Sequence, residues 1–208
     1  MPPLASDDPG SFGSLTSDRL VELKRISFRY YQRIIWNPRR ADEWHHTLLY
    51  EVHKRLFAAV FPVHAGVRRT VAVTLKDLPV PSVARLIYVV DDIARQAART
   101  ITESELCTDP REKTAYVMVQ AADFHAKCVV AQPFIDGNKR WAYFCLAALL
   151  VDCGFWPGTW LGNFDVDQER AKYLALIERA CSGQPEPLAE HIIRGWLATR
   201  RLYRRHFS

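Results

Sequence analysis

The stretch AKCVVAQPFIDGNKRWAYFCLAALLV, residues 126–151, decides how this chain folds. Residues 126–131 close a helical pattern, and Gln132-Pro133 breaks it, because a proline disfavours right-handed helical geometry in the residue before it. After Gly137 the helix resumes, and Trp141–Val151 is apolar almost all round. A helix without a polar face must be buried on every side, so other helices have to surround it.

Working outward, the surrounding helices are legible. Thr16 or Ser17 caps a helix running to about Trp36, with Leu20, Leu23, Ile26, Phe28 and Ile34 near helical spacing, and Pro38 ends it. A second helix, about 43–60, carries Leu48, Leu49, Val52, Leu56 and Phe57 on one stripe before Pro62. Pro81-Ser82 opens a third, with Val83, Leu86, Ile87, Val90, Ile93, Ala94 and Ala97 on one face. Further helices are expected over about 110–131, 165–181 and 187–206. Only Val67–Val80, rich in Val and Thr and weakly alternating, favours a short hairpin or extended flap. The fold class is all-α, six to eight helices with one small β-hairpin.

Composition narrows the function classes. The chain has 208 residues, 49% hydrophobic and 25% charged, enough for one domain of good size. Residues 1–15 are too rich in Pro, Ser, Gly and Asp to fold alone and read as a disordered arm, leaving 16–208 as one domain. No apolar run reaches the ~18–20 residues of a membrane span, and the first residues lack the basic start and apolar core of a secretory signal. The five cysteines show no C-x-x-C spacing, which fits reduced thiols in a cytoplasmic protein better than disulfides. The net charge of +5 suits polyanionic ligands without naming one.

The loop between the two central helices carries the chemistry. It ends at a helix N-terminus, where unpaired N–H groups and the positive dipole end attract anions. Gly137 admits a phosphate close to the backbone. Asn138 can cap the helix, and Lys139 and Arg140 put two cations in its first turn, where they oppose the dipole unless an anion lies between them. Asp136 is a hard oxygen ligand of the kind Mg²⁺ takes when it bridges to phosphates. The alternative is an ordinary helix start with solvated cations.

This loop resembles the signature of the Fic/Doc family, H-x-F-x-[DE]-G-N-[GK]-R, at Phe134, Asp136, Gly137, Asn138, Lys139 and Arg140. The likeness extends upstream through His53–Phe57, Phe61-Pro62, Ala65-Gly66 and Arg68-Arg69-Thr70, and downstream to Cys153-Gly154-Phe155, so it covers about 48–155. The resemblance implies a Fic-like helical bundle that moves a nucleotidyl or phosphoryl group from ATP or another nucleotide-type donor to a hydroxyl of a protein or small molecule. It further implies that Asp136 holds Mg²⁺, that Gly137, Asn138 and Lys139 shape the anion hole, that Arg140 braces the diphosphate and that Phe134 anchors the loop. Lys139 in place of a second glycine is similar to the Doc branch, which transfers a γ-phosphoryl group. Residues 71–80, with Val73, Thr74, Leu75 and Lys76 at their centre, fall where the family keeps a flap that pairs with an extended target segment.

Gln132 departs from the pattern. The family's histidine at this position is the general base, and a neutral amide cannot take a proton near neutral pH. General base catalysis is worth typically ~10²–10⁴-fold. Three readings stay open: a non-transferring relative that binds a nucleotide or partner, an enzyme of different chemistry whose nucleophile is already anionic, or a glutamine that replaces a natural histidine to silence the enzyme. Tyr143, where many AMP-transferring members carry arginine, is a second departure. His125, two helical turns before Gln132, reads as structural.

Other candidates are weaker. Glu43, His45, His46 and His53 lack metal-ligand spacing. The C-terminal arginines, Arg194 to Arg205, read as the solvated face of a helix whose Leu188, Ile192, Ile193, Trp196 and Leu197 pack inward, so nucleic-acid binding is not favoured. No convincing [ST]-x-x-x-E-[GN] inhibitory helix is present, so any inhibition implies a separate partner.

Overall fold

The computed structural model describes residues 16–156 and 167–207, with side chains over 16–156 and 169–198. The expected N-terminal arm, and Asp165 and Val166 of the expected sixth helix, lie outside the described residues. Seven α-helices run through the described residues: α1 (Ser17–Trp36), α2 (His46–Phe57), α3 (Leu86–Leu106), α4 (Pro110–Ala131), α5 (Asn138–Asp152), α6 (Asp167–Cys181) and α7 (Glu186–Phe207). Short 3₁₀ turns at Ala41–Glu43 and Val83–Arg85 precede α2 and α3. The all-α expectation holds.

The centre of the molecule is α5. From Trp141 to Leu150 every residue is buried, and α1, α2, α3 and α4 pack around it. Two polar bonds fix its ends. At its start, the Trp141 indole N–H donates to the carbonyl of Leu49 in α2 at 2.7 Å. At its end, the buried Asp152 carboxylate accepts from the Arg39 backbone (2.8 Å), from Arg39 Nε (3.0 Å) and from Trp44 Nε1 (2.8 Å). Burial pushes the Asp152 carboxyl upward, and these donors oppose that rise. The connection from α1 to α2 is thereby tied to the far end of α5.

α4 lies against α3, α5, α6 and α7. Thr16 begins α1 as expected, its Oγ1 accepting from the Arg19 N–H at 3.4 Å. Asp109 caps α4 in the same way, with Pro110 at the first helical position. On α7, Leu188 and Ile192 are buried, but Leu197 is exposed, so the inward stripe is one residue shorter than its spacing predicts.

The flap is not a hairpin. Residues 71–80 hold no strand, only a lone antiparallel bridge between Leu75 and Leu78 around a tight turn. Lys76 takes φ +50° there. Pro79 and Pro81 remove two backbone donors, so a regular ladder cannot propagate. The alternation survives without the sheet: Thr74 and Lys76 are exposed, while Val73 and Leu75 are half-buried.

Candidate functional site

The motif loop, residues 132–137, bridges α4 and α5. Gln132 ends α4 in the left-handed region, at φ +43° and ψ +54°. Proline at 133 removes the right-handed option, but the residue does not become extended as that effect alone suggests. Left-handed geometry costs a non-glycine residue about 1–2 kcal/mol, and two bonds offset it. The Gln132 side-chain Nε2 donates to the Val129 carbonyl at 2.6 Å, and the Gln132 carbonyl accepts from Arg69 Nε at 2.6 Å.

Arg69 is nearly inaccessible, at 1% exposure. Its guanidinium also donates to the carbonyls of Val71 at 2.8 Å and Pro81 at 2.6 Å, and its own N–H donates to the Pro133 carbonyl at 2.9 Å. One buried cation thus ties the start of the motif loop to both ends of the flap. Burial lowers its pKa from the usual arginine range.

Phe134 turns into the core. Its ring stacks on the His53 imidazole, with centroids 3.6 Å apart, and meets Tyr50 and Trp141 edge-on. Asn138 does not cap α5 as expected. Its Oδ1 accepts from the Phe134 N–H at 3.0 Å and its Nδ2 donates to the Phe134 carbonyl at 2.8 Å, closing the loop on itself. The N-cap is Gly137 instead, at φ +77°, and it brings no capping side chain. A Cβ there would come within 2.7 Å of the Phe57 ring, so only glycine fits this approach.

His53 sits beneath the turn. The Gly66 N–H donates to its Nδ1 at 2.9 Å, which makes Nδ1 the acceptor. The proton therefore lies on Nε2, which donates to the Asp136 carbonyl at 3.0 Å. Burial lowers the His53 pKa to about 4, so the ring is neutral at physiological pH. The Asp136 carboxylate accepts the Gly137 N–H at 2.5 Å. Burial also lowers the Arg140 pKa, against the attraction of Asp136, while Lys139 is exposed.

The structure therefore places Asp136, Gly137, Asn138, Lys139 and Arg140 on one turn at the start of α5, with Gln132 at the C-terminal cap of α4. His53 and Arg69 were legible only as parts of an upstream likeness. Their signal was the pairing of Gly66 with a downstream arginine, but which carbonyls they hold needed the fold. His125 is structural: its Nε2 meets the Tyr173 hydroxyl at 2.7 Å and its Nδ1 the Ala142 carbonyl at 3.3 Å, fully buried. Tyr143 is buried beside Tyr31, its rings stacked at 6.4 Å. Among the described residues no group of three His, Cys, Asp or Glu side chains could hold a metal, and no helix is long and apolar enough to cross a membrane.

With this turn in place, the comparison with known proteins is decisive. The Fic/DOC family profile matches residues 43–150, which run from the turn before α2 to the end of the buried α5. The chain belongs to the Fic/DOC family. Protein adenylyltransferase fic-1 of Caenorhabditis briggsae is 30% identical over 143 residues, 68% of this chain and 25% of that protein. Protein adenylyltransferase Fic of Nematostella vectensis is 28% identical over 144 residues, 69% of this chain and 30% of that protein. The chain thus spans between a quarter and a third of the length of these curated relatives. Among solved structures, Fic-1 (residues 134–508) of C. elegans superposes with a TM-score of 0.63 at 23% identity, covering 91% of this chain and 52% of that one. That likeness supports the Fic fold.

Proposed function

We propose that this Fic/DOC chain binds a nucleotide-type donor, ATP first, at the Asp136–Arg140 turn, and that the turn is a nucleotidyl or phosphoryl transfer site whose general base is missing. The observation that carries this reading is the uncapped start of α5. Gly137 brings no capping side chain there, Asn138 is turned back onto Phe134, and Lys139 and Arg140 stand in the first turn. Helix N–H groups and cations together suit a polyphosphate.

The residues also fit Mg²⁺. One hard carboxylate, Asp136, stands at the turn without a cage of further ligands among the described residues, the pattern for an ion shared with substrate phosphates. Bound there, the ion supplies charge neutralisation on the phosphates. Lys139 and Arg140 orient the donor, the backbone at Gly137 lets it approach, and the exposed Thr74 and Lys76 of the flap face an incoming hydroxyl-bearing protein segment. The reaction is AMP transfer by likeness to the named adenylyltransferases, or γ-phosphoryl transfer by the Doc-like Lys139.

The Gln132 amide orients a hydroxyl but does not deprotonate it. Both histidines that α2 and α4 bury have their ring nitrogens engaged, His53 with Gly66 and Asp136, His125 with Tyr173 and Ala142. Neither supports a relocated base. This favours, as a second reading, a chain that keeps the donor site and regulates by binding. Calorimetric titration with ATP and GTP, with and without Mg²⁺, tests the shared premise: saturable binding that Asp136→Ala removes supports the site, and heat unaffected by that substitution counts against it.

A further inference from the structure

A recess borders α2, the loop that follows it and α3. It is a groove of about 380 Å³ lined by His46, Thr47 and Tyr50 of α2, by Gly66 and Arg68 of the following loop, and by Ile87 of α3. The Tyr50 hydroxyl is buried and has no hydrogen-bond partner among the described residues. An unsatisfied buried hydroxyl costs about 1–3 kcal/mol, so a ligand atom that reaches it recovers that cost. Arg68 is exposed and makes no ion pair among the described residues. Its charge acts on the Tyr50 hydroxyl, partly opposing the upward pull of burial on that group.

The side-chain polar groups of this groove can each donate a hydrogen bond. Tyr50 and Thr47 offer hydroxyls, Arg68 a guanidinium and His46 an imidazole. A carboxylate close to His46 is Asp91, 3.5 Å from its Nδ1 and also held by Arg95. Ile87, 41% exposed, gives the groove one apolar wall.

We propose that this groove is an oxyanion site, separate from the motif turn, for a phosphate or carboxylate on a small molecule with an apolar edge. It takes the anion on Arg68 and the Tyr50 hydroxyl and the apolar edge on Ile87. The site touches the motif through two supports. The Tyr50 ring backs Phe134 at 5.6 Å between centroids, and Gly66 holds the His53 ring that in turn holds Asp136. An anion seated there stiffens the platform under the motif turn. The proposal does not depend on the transfer reading.

The test is a residue-resolved NMR titration of the full chain with inorganic phosphate and, separately, acetate. The expected result is saturable movement of the Thr47, Gly66 and Arg68 amides with Kd on the order of 1–10 mM, weakened at least tenfold by Arg68→Ala and by Tyr50→Phe. Tyr50→Phe keeps the ring on Phe134, so it separates loss of the hydroxyl from loss of the fold. Acetate moving the same amides supports the whole oxyanion class, and phosphate acting alone narrows it to phosphates. Shifts at Gly137–Arg140 report the motif turn independently. No saturable movement at the groove up to roughly 50 mM, or movement indifferent to both substitutions, overturns the proposal and leaves the groove holding water.

Discussion

Arg69 Nε lies 2.6 Å from the carbonyl oxygen of Gln132, so the residue that departs from the family motif is gripped by the segment beside the flap. The same guanidinium holds Val71 and Pro81, and its charge is met by carbonyl dipoles. Motif and flap are consequently joined through one side chain.

Removing that cation should cost more than an average core substitution. Arg69→Met keeps most of the apolar stem but strips the donors from three carbonyls, and hydrogen bonds to charged groups are worth about 1.5–3 kcal/mol each, without full additivity. Urea unfolding should show a loss of about 3 kcal/mol or more, with Arg69→Lys recovering only part. A Met variant within about 1 kcal/mol of wild type contradicts the clamp.

Glycine 137 offers a steric test with an internal control. Gly137→Ala and Gly154→Ala both place alanine at positive φ, each at about 1–2 kcal/mol. Only at 137 does the new methyl also meet the Phe57 ring, at 2.7 Å, while nothing lies within 4 Å at 154. Thermal unfolding should therefore place the 137 variant at least about 2 kcal/mol below the 154 variant. Equal losses indicate that the turn does not press on Phe57.

The neutral His53 predicts a pH dependence of stability. Its folded pKa of about 4 lies below the unfolded value of 6.5, so between those values the unfolded chain binds more protons. Stability from this group is complete above pH 6.5 and is lost as pH falls toward 4, by about 2–3 kcal/mol at pH 4.5. Denaturant melts at pH 7 and 4.5 should show that loss, and His53→Gln should flatten it. An unchanged pH slope in the Gln variant assigns the acid sensitivity elsewhere, His125 first.

Most of the helical frame could be read from the chain because its signals are local. Thr16, Asp109 and Pro110 mark helix starts by side-chain chemistry, and the unbroken apolar run from Trp141 to Val151 admits only a buried helix. The motif turn was equally legible as a set of residues. The arrangement inside it was not. Asn138 looked like a cap because it stands at a helix start, yet the Phe134 backbone one turn earlier competes for the same side chain and wins. The expected hairpin does not form, because Val and Thr favour strands in general, whereas pairing here is decided by Pro79 and Pro81, which leave only the Leu75–Leu78 bridge. Arg69 and His53 act on carbonyls distant in sequence, and no local pattern encodes such partners.

Metal dependence should rest on one side chain. Asp136 is the motif's single carboxylate, and Asp136→Asn keeps its size while removing the charge that attracts a divalent ion. Nucleotide binding measured by calorimetry should lose its Mg²⁺ dependence in this variant without a drop in melting temperature beyond ~4–8 °C. Retained Mg²⁺ dependence places the ion on other groups.

The central claim, a transfer site complete except for its base, is tested most directly at position 132. The measurement is transfer of label from α-labelled and γ-labelled ATP with Mg²⁺, onto the protein itself and onto a cell lysate, by wild type and by Gln132→His. Gln132→His should raise transfer by roughly 10²-fold or more. Wild-type turnover that Gln132→His leaves unchanged or slows would contradict it.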